Sequence, residues 1–434
     1  MAHIFESEKM SRKDLEKLQV QRLKDKVRQV YERVQFYRDA FKERGITPDD
    51  VHSLDDLNKL PFTSKLDFRD SYPYGLMAVS PRDIVRIHAS SGTTGKPIVA
   101  PYTKGDIKTW STVMARALNM TGVKKGDILQ NAYGYGLFTG GLGVHYGAEK
   151  LGASVVPAAA GNTKRQLLLL QDLGTTVICC TPSYAITLSE TASEMGINLH
   201  NTRLRLGIFG AEPWSEEMRK DIEERLGITA LNIYGLTEVM GPGVSMECPY
   251  KCGMHVAEDH FLMEIIDSNT GEQLLPGEEG ELVITTLSKE AQPVIRFRTK
   301  DITRLNHEPC KCGRTLVRMS RIKGRVDDML KIRGVNVFPS QIESVILTMN
   351  GFAPHYMMVV DKKHGFSSTE LEIWVEVPEE IFSDDIHKMA NLENKLRSEI
   401  DSVLGISTRV KLVEPHTIVR SNGKAKRIVD RSEL

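Results

Sequence analysis

Between residues 84 and 300, short apolar segments alternate with segments of helical periodicity, and this alternation constrains the fold more than any other feature of the chain. Six segments bounded by turn residues predict strands: DIVRIHA, DILQNAYG, ASVVPAA, TTVICCT, LRLGIFG and ALNIYG. Segments such as DIKTWSTVMARALNMTG and SEEMRKDIEERLG carry apolar residues at helical spacing. Strands and helices in alternation predict layers of an α/β fold with parallel strands.

The two ends of the chain differ from this central region. Apolar residues at helical spacing among many charges predict helix over residues 8–45. Beyond GRVDD, residues 324–328, the segments LEIWVEV and NLENKLRSEIDSVLG predict a half-buried strand and an amphipathic helix. A chain of 434 residues is also too long to fold around one compact core, which predicts two or more domains. We predict a large domain of layered α/β subdomains over residues 1–327, with a helical segment at 1–80. A small, mobile α+β domain follows over residues 328–434.

Composition argues against several classes of protein. Lysine plus arginine and aspartate plus glutamate balance at 57 each, whereas a general nucleic-acid or membrane-surface binder needs a basic excess. No segment approaches the roughly 18 uninterrupted apolar residues of a membrane span. The first residues, MAHIFESEKMSRKD, lack the apolar run of a secretory signal. We therefore expect a cytoplasmic protein.

The segment SSGTTGKP, from Ser90 to Pro97, is typical of a phosphate-binding loop. Its glycines let backbone N–H groups approach a ligand, and its hydroxyls and lysine supply further donors. Only two residues separate Gly92 from Gly95, and a predicted strand follows, so the segment differs from the Walker A loop that opens a helix. The alternative is a flexible serine- and glycine-rich surface loop.

Four cysteines and a histidine in ECPYKCGMH and CKCG predict a metal site. A structural Zn²⁺ site takes four sulfur or nitrogen ligands in a tetrahedron, commonly from two separate short segments. We predict Cys248, His255, Cys310 and Cys312 as the ligands, with Cys252 as the substitute. The alternative is a set of buried or redox-active thiols.

Five motifs, in this order along nearly the whole chain, resemble those of the adenylate-forming superfamily, which includes acyl-CoA synthetases, luciferases and peptide-synthetase adenylation domains. They are SSGTTGKP, NIYGLTE (232–238), RFRTKD (296–301), GRVDDMLKIRGVNVFPSQIE (324–343) and NGKAKR (422–427). Within the superfamily, AYGYGLFTGGLGVHYGAEKLG, GIFGAEPWSEEMR and EDHFLMEIID are most similar to the segments of phenylacetate–CoA ligases.

The resemblance implies an AMP-forming acid–CoA ligase. Such an enzyme joins a carboxylate to ATP with release of pyrophosphate, then transfers the acyl group of the acyl-adenylate to coenzyme A. The expected substrate is an aryl acid, with phenylacetate as the leading candidate. The expected cofactors are ATP, coenzyme A, Mg²⁺ and the structural Zn²⁺. A homodimer is expected, without nucleic-acid or membrane partners. One alternative is a relative that passes its adenylate to a carrier protein, an amine or another cofactor. The other is a zinc-containing nucleotide-binding protein without turnover.

The resemblance also implies roles for individual residues. Lys424 matches the catalytic lysine that bridges the carboxylate and the α-phosphate, Thr237 would contact that phosphate, and Glu238 would coordinate Mg²⁺. Tyr234 would stack on adenine, and Asp301 would accept both ribose hydroxyls. The residues implied in ATP and AMP binding are Ser90, Ser91, Gly92, Thr93, Thr94, Gly95, Lys96, Gly210, Ala211, Glu212, Tyr234, Gly235, Thr237, Asp301 and Arg325.

Further residues are predicted to bind the acid, to lie near the thiol of coenzyme A or to form the hinge. Aromatic and small residues in YGYGLFTGGLG, residues 133–143, fit a pocket for a flat apolar acid, with close helix–sheet packing as the alternative. Its candidate residues are Tyr135, Phe138, Gly140 and Gly141. The resemblance places the hinge at Asp327, and Arg333 and Gly334 near coenzyme A in the second step; an ordinary linker is the alternative there. Lys300 stands where many superfamily members have glycine, which leaves the local backbone conformation open.

Overall fold

The computed structural model describes residues 2–90, 97–326, 330–332, 335–349, 351–360, 371–382, 386–420 and 425–431. Within these ranges the chain forms a large α/β domain followed by a small α+β domain, so the predicted fold class is confirmed. The predicted boundary at residues 327 and 328 lies outside the described residues and stays a prediction.

Ten α-helices lie within the described ranges. They are α1 (Arg12–Arg33), α2 (Gln35–Glu43), α3 (Lys65–Asp70), α4 (Lys104–Met120), α5 (Thr139–Leu151), α6 (Thr163–Asp172), α7 (Pro182–Glu194), α8 (Glu216–Leu226), α9 (Pro339–Thr348) and α10 (Ile386–Leu404). Short 3₁₀ helices cover Ala2–Lys9, Pro48–Asp50, Leu54–Lys59, Pro81–Asp83 and Leu199–Asn201.

The described strands are numbered in chain order. They are β1 (Ile84–Ala89), β2 (Val99–Thr103), β3 (Ile128–Asn131), β4 (Ser154–Val156), β5 (Val177–Cys180), β6 (Leu206–Gly210), β7 (Thr229–Leu236), β8 (Gly241–Glu247), β9 (Met254–Val256), β10 (Phe261–Ile266), β11 (Gly280–Thr286), β12 (Phe297–Thr303), β13 (Leu305–Asn306), β14 (Arg318–Met319), β15 (Gly324–Arg325), β16 (Leu330–Ile332), β17 (Val335–Val337), β18 (Tyr356–Val360), β19 (Leu371–Glu376), β20 (Arg409–Val413) and β21 (Ile428–Asp430).

A nine-stranded sheet organises the large domain, in the order β13-β14-β9-β8-β7-β6-β5-β3-β4. The five strands from β7 to β4 are parallel, as the alternating pattern predicts, and the remaining four are antiparallel. Alternate residues of β5 enter different cores: Val177 and Cys179 pack on the α4–α5 side, and Ile178 and Cys180 on the α6–α8 side. Helices therefore cover both faces, which explains why the parallel strands are apolar without alternation.

A second, antiparallel sheet of the order β10-β11-β12-β15 lies in the same domain, and β1 pairs with β2 in a separate hairpin. Strand β12 carries Asp301, and the SSGTTGKP segment belongs to the connection between β1 and β2. The two ends of that connection are joined, because the backbone N–H of Ser90 donates to Ile98 O at 2.9 Å.

The N-terminal segment differs from the prediction in two places. The predicted helix over residues 8–45 is divided at Val34, whose backbone is extended, so α1 and α2 meet at a bend with Tyr37 and Phe41 buried behind it. The segment KLPFTSKLDFRDSYPYG, residues 59–75, reads as a proline-containing connector in the sequence but contains α3. A capping box, in which Ser64 and Asp67 exchange hydrogen bonds with each other's backbone, begins this helix at Lys65.

The small domain has a four-stranded sheet of the order β20-β19-β18-β21. Helices α9 and α10 contribute to its separate apolar core, in which Leu396 and Ile400 of α10 are fully buried. The strand and helix expected for LEIWVEV and NLENKLRSEIDSVLG are both present. No helix among the described residues combines the length and the apolarity needed to cross a bilayer.

Candidate functional site

Gly210, Ala211 and Glu212, predicted to bind the nucleotide and called the adenine loop here, begin at the last residue of β6, which pairs with Ile233 of β7. The carboxyl ends of neighbouring parallel strands are the usual position of a ligand in an α/β sheet. A Cβ atom on Gly210 would lie 2.2 Å from Ile233 O, and one on Gly235 would lie 2.0 Å from Gly241 O. Both glycines are therefore required by the adjacent backbone. Ala211, directly after Gly210, has a φ of 72°, in the left-handed region of the backbone.

Tyr234, Asp301 and Arg325 meet where the two sheets of the large domain approach each other. The Tyr234 hydroxyl donates to Asp301 Oδ2 at 2.6 Å, and Arg325 Nη1 donates to Asp301 Oδ1 at 3.2 Å. Asp301 and Arg325 are paired residues of β12 and β15. Burial and the Asp301 carboxylate raise the pKa of Tyr234 well above its ordinary value. Three residues predicted from separate motifs therefore form one polar cluster.

Lys300 adopts a φ of 67°, in the left-handed region that favours glycine. This conformation explains a glycine before the aspartate in many superfamily members. Here the lysine Nζ lies 3.4 Å from Glu281 Oε2, on a carboxylate that Arg298 also binds. The substitution thus changes the local ion pairs but keeps Asp301 in β12.

Glu238, the predicted Mg²⁺ ligand, follows β7 and is 6% exposed. Its Oε1 atom lies 3.9 Å from Nζ of Lys65, the first residue of α3. Thr237 is half-buried beside it. The sequence analysis did not single out Lys65, whose ammonium group lies beside the predicted Mg²⁺ ligand. The capping pattern of Ser64 and Asp67 predicts the helix start, although the pairing with Glu238 depends on a contact 173 positions away, which no local pattern encodes.

The Glu212 carboxylate connects the adenine loop to the small domain. One of its oxygens accepts the Ser183 N–H at the start of α7, at 2.8 Å. The other accepts the Ala425 N–H at 2.9 Å. Ala425 directly follows Lys424 in the sequence, so the segment that carries the predicted catalytic lysine is tied to the nucleotide side of the large domain.

The candidate acyl segment begins after β3 with a chain of polar contacts. The Tyr135 hydroxyl lies 2.8 Å from Asn131 Nδ2 and 3.1 Å from His145 Nδ1. The other ring nitrogen of His145 lies 3.1 Å from Glu149 Oε1. These contacts fix the orientation of Tyr135, mostly through residues of α5.

The other three candidate acyl residues differ in their surroundings. Phe138 is 50% exposed at the start of α5. A Cβ on Gly141 would lie 2.4 Å from Gly134 O, whereas the nearest atom to a Cβ on Gly140 is a side-chain carbon of Tyr133 at 3.4 Å. The backbone of the loop before α5 therefore requires a glycine at position 141. The pocket assignments of Tyr135, Phe138, Gly140 and Gly141 stay predictions.

Several predicted site residues lie outside the described residues. They are Ser91, Gly92, Thr93, Thr94, Gly95, Lys96, Asp327, Arg333, Gly334 and Lys424. Their roles stay predictions.

The four predicted zinc ligands are brought together by β8, β9 and the loop before β14. The ligand atoms of Cys248, His255, Cys310 and Cys312 all lie within 4.8 Å of one another. A tetrahedral site with Zn–S bonds of about 2.3 Å requires separations of about 3.8 Å. The Cys248 and Cys310 sulfurs are 3.7 Å apart, so the donor set fits. Cys252, the predicted substitute, is exposed and lies outside this group, although its sulfur is 3.4 Å from that of Cys310.

Comparisons with known proteins agree with the geometry. The AMP-binding enzyme family matches residues 4–288, and the AMP-binding enzyme C-terminal domain matches residues 334–432. The chain belongs to the AMP-binding enzyme family, in the group of phenylacetate–coenzyme A ligases. It is 50% identical to the phenylacetate-coenzyme A ligase of Aromatoleum evansii, over 98% of this chain and 96% of that protein. It is 48% identical to the one of Thermus thermophilus, over 98% of both.

Solved structures of another family member distinguish two arrangements of the domains. 2-Hydroxyisobutyryl-CoA ligase, 28% identical, matches with a TM-score of 0.93 in the postadenylation state with its acyl-adenylate, over 98% of this chain and 92% of that one. In the thioesterification state with coenzyme A, the TM-score is 0.72, over 98% and 91%. The domain arrangement described here therefore resembles the postadenylation state.

The close approach at Gly210 predicts a specific effect of a single methyl group. We expect Gly210→Ala to lower the free energy of unfolding by about 1–3 kcal/mol, because the added Cβ must displace the neighbouring strand. ATP should also protect this variant less against thermal unfolding, since the displaced loop is the proposed adenine site. Gly136→Ala is the matched control, because its Cβ would enter open space. Equal behaviour of the two variants would contradict the assignment.

Proposed function

We propose that the chain is a phenylacetate–coenzyme A ligase. The observation that carries this proposal is the similarity to curated phenylacetate-coenzyme A ligases, at 48–50% identity over nearly the whole chain. The reaction has two steps: the acid carboxylate attacks the α-phosphorus of ATP and releases pyrophosphate, and the thiol of coenzyme A then attacks the acyl-adenylate and releases AMP.

Nucleotide binding is proposed at the cluster formed by Tyr234, Asp301 and Arg325. A carboxylate has two oxygens and about four acceptor positions. Tyr234 and Arg325 contact one oxygen each, which orients the carboxylate that would accept the ribose hydroxyls. The ring of Tyr234, fixed through its own hydroxyl, would then stack on the adenine.

Charge neutralisation is proposed at Glu238, Lys65 and Thr237, with the SSGTTGKP segment on the β- and γ-phosphates. Adenylation concentrates negative charge, and positioned donors and Mg²⁺ stabilise such a transition state. Glu238 supplies the carboxylate oxygen that Mg²⁺ prefers; a bound Mg²⁺ would screen the phosphate charge. The ammonium group of Lys65 lies near this carboxylate and adds positive charge on the same side.

Lys424 is proposed to bridge the attacking carboxylate and the α-phosphate. The hydrogen bond of Ala425 to Glu212 supports this assignment, because it holds the residue after Lys424 at the adenine loop. In the second step, rotation of the small domain about Asp327 would withdraw the lysine and bring Arg333 and Gly334 to the thiol. The two domain arrangements of the 2-hydroxyisobutyryl-CoA ligase structures support that alternation.

Structural Zn²⁺ is proposed at Cys248, His255, Cys310 and Cys312. Four protein ligands complete a tetrahedron and leave no open position for a substrate. The ion would join β8 and β9 to the loop before β14, so its role would be to stabilise these segments of the large domain.

We also propose that the chain works as a homodimer in the cytoplasm. All six cysteines lack disulfide partners, which fits a reducing compartment. The dimer is proposed from the resemblance to phenylacetate–CoA ligases. Sedimentation equilibrium would measure the mass of the assembly directly.

The identity of the acid is tested by a screen in one coupled assay. Phenylacetate should support both pyrophosphate–ATP exchange and coenzyme A-dependent AMP release, with a higher kcat/KM than benzoate, indoleacetate or medium-chain fatty acids. Exchange without coenzyme A-dependent AMP release would favour a relative with another acceptor. No exchange with any acid would favour a nucleotide-binding protein without turnover.

The catalytic role of Lys424 predicts unequal effects on the two steps. Lys424→Ala should reduce transition-state stabilisation of adenylation by about 3 kcal/mol or more, by analogy with removal of one oxyanion donor. Thioester formation from supplied phenylacetyl-adenylate should be spared. Single-turnover rates of each step measure this difference, and equal losses in both would exclude the assignment.

The zinc site predicts different results for two neighbouring cysteines. Cys310→Ser should lose most of the bound zinc and unfold at a lower temperature, because a ligand of the tetrahedron is weakened. Cys252→Ser should keep one zinc per chain, since this thiol is exposed and outside the group. Atomic emission and thermal unfolding provide the measurements. If only Cys252→Ser lost zinc, Cys252 would be a ligand in place of Cys310.

A further inference from the structure

Glu190, near the end of α7, contacts two residues across the boundary between the two domains. Its Oε1 lies 2.7 Å from Nε2 of His355, and its Oε2 lies 3.6 Å from Nε of Arg420. Both partners belong to the small domain, whereas α7 belongs to the large domain. We call Glu190, His355 and Arg420 the interdomain triad.

The small domain holds Arg420 in place independently of Glu190. Arg420 forms a bidentate pair with Glu376, at 2.8 and 2.7 Å, and Glu376 is 1% exposed. The backbone at His355 is tied to the same residue, since the His355 carbonyl accepts the Glu376 N–H. The Arg420 guanidinium is therefore positioned before it meets Glu190, so less side-chain entropy is lost when the domains come together.

The surroundings of the triad reduce its exposure to water. Residues of both domains enclose a small cavity of about 30 Å³, lined among others by Thr187 of α7 and by His355 and Arg420. Glu190 is itself about three-quarters buried, with 25% of its side chain exposed. Partial burial weakens solvent screening, so the ion pair of Glu190 with Arg420 contributes more than a pair on an open surface.

We propose that Glu190 is a positioning residue for the adenylation step, because its contacts with His355 and Arg420 hold the small domain in the orientation that step requires. This inference rests on the proposed function. The arrangement described here resembles the postadenylation state. A contact of 2.7 Å between two rigid bodies does not survive a large rotation unless it lies on the rotation axis. The triad therefore stabilises one orientation relative to the other, which is the condition for shifting their populations.

The same interface determines the position of the segment next to Lys424. Ala425 donates to Glu212 of the large domain, and Arg420 precedes it by five residues in the same connection between β20 and β21. Glu190 thus acts on adenylation through the small domain, at a distance from the nucleotide cluster. Coenzyme A attack takes place in the other orientation and does not need the triad.

Glu190→Gln tests the proposal, with Glu194→Gln as the matched control on the same helix, since Glu194 is exposed. Single-turnover adenylation should slow by about 10-fold in Glu190→Gln, as expected when a charge-assisted contact is removed. Thioester formation from supplied phenylacetyl-adenylate and coenzyme A should be unchanged or faster. Glu194→Gln should match the unaltered protein in both steps. Equal losses in both steps, or none in adenylation, would overturn the proposal.

His355→Ala provides a second variant from the opposite domain, in case the first fails to fold. It should also slow adenylation and spare thioester formation. The double variant Glu190→Gln/His355→Ala should be no slower in adenylation than the slower of the two single variants. Multiplicative losses would show that the two residues act independently and would contradict the triad.

Small-angle X-ray scattering separates failure of this inference from failure of the proposed function, because it needs no turnover. Scattering of the unaltered protein should fit the arrangement described here, and that of Glu190→Gln should deviate from it. Identical scattering curves from the unaltered protein and Glu190→Gln would overturn the inference, even if the unaltered protein is an active ligase. Absence of acid-dependent exchange in the unaltered protein would instead reject the proposed function, while a difference in scattering would still support the triad.

Discussion

The hydrogen bond from Tyr234 to Asp301 joins the two sheets of the large domain at the proposed nucleotide site. Tyr234 extends from the mixed nine-stranded sheet, and Asp301 from the antiparallel one. Arg325 completes the cluster two residues before the predicted hinge. One carboxylate, that of Asp301, therefore connects a strand of each sheet to Arg325 of β15.

Carboxylates make several of the described contacts between the domains. Glu190 of the large domain meets His355 and Arg420 of the small one, and Glu212 accepts the Ala425 N–H. Glu343 of the small domain accepts the Ser215 N–H at the start of α8, and burial raises the pKa of Glu343 to about 7. Polar contacts of this kind are directional, and water can replace them when the domains separate. An interface built on them suits two domains that alternate between two arrangements better than a large apolar one would.

The sequence predicted most of the fold because alternating apolar and amphipathic segments determine local structure directly. The motifs likewise predicted Tyr234, Asp301 and Arg325, and the spacing of two short cysteine clusters predicted the four residues that lie together. The position of Lys65 beside Glu238 could not be predicted, because that contact joins distant segments. The bend at Val34 also escaped prediction, since helical periodicity continues through it. The interdomain triad depends on the relative orientation of two bodies, which no single segment determines.

The central claim is that the acid is activated as an adenylate, and isotope transfer tests it most directly. Phenylacetate labelled with ¹⁸O in its carboxylate should transfer one labelled oxygen to AMP when the complete reaction with ATP and coenzyme A is run. The label arrives there because the carboxylate oxygen that attacks the α-phosphorus remains with the phosphate when the thiol displaces it. Mass spectrometry of the nucleotide products would detect this atom. Label in inorganic phosphate, with ADP as the nucleotide product, would instead indicate an acyl-phosphate and would contradict the account.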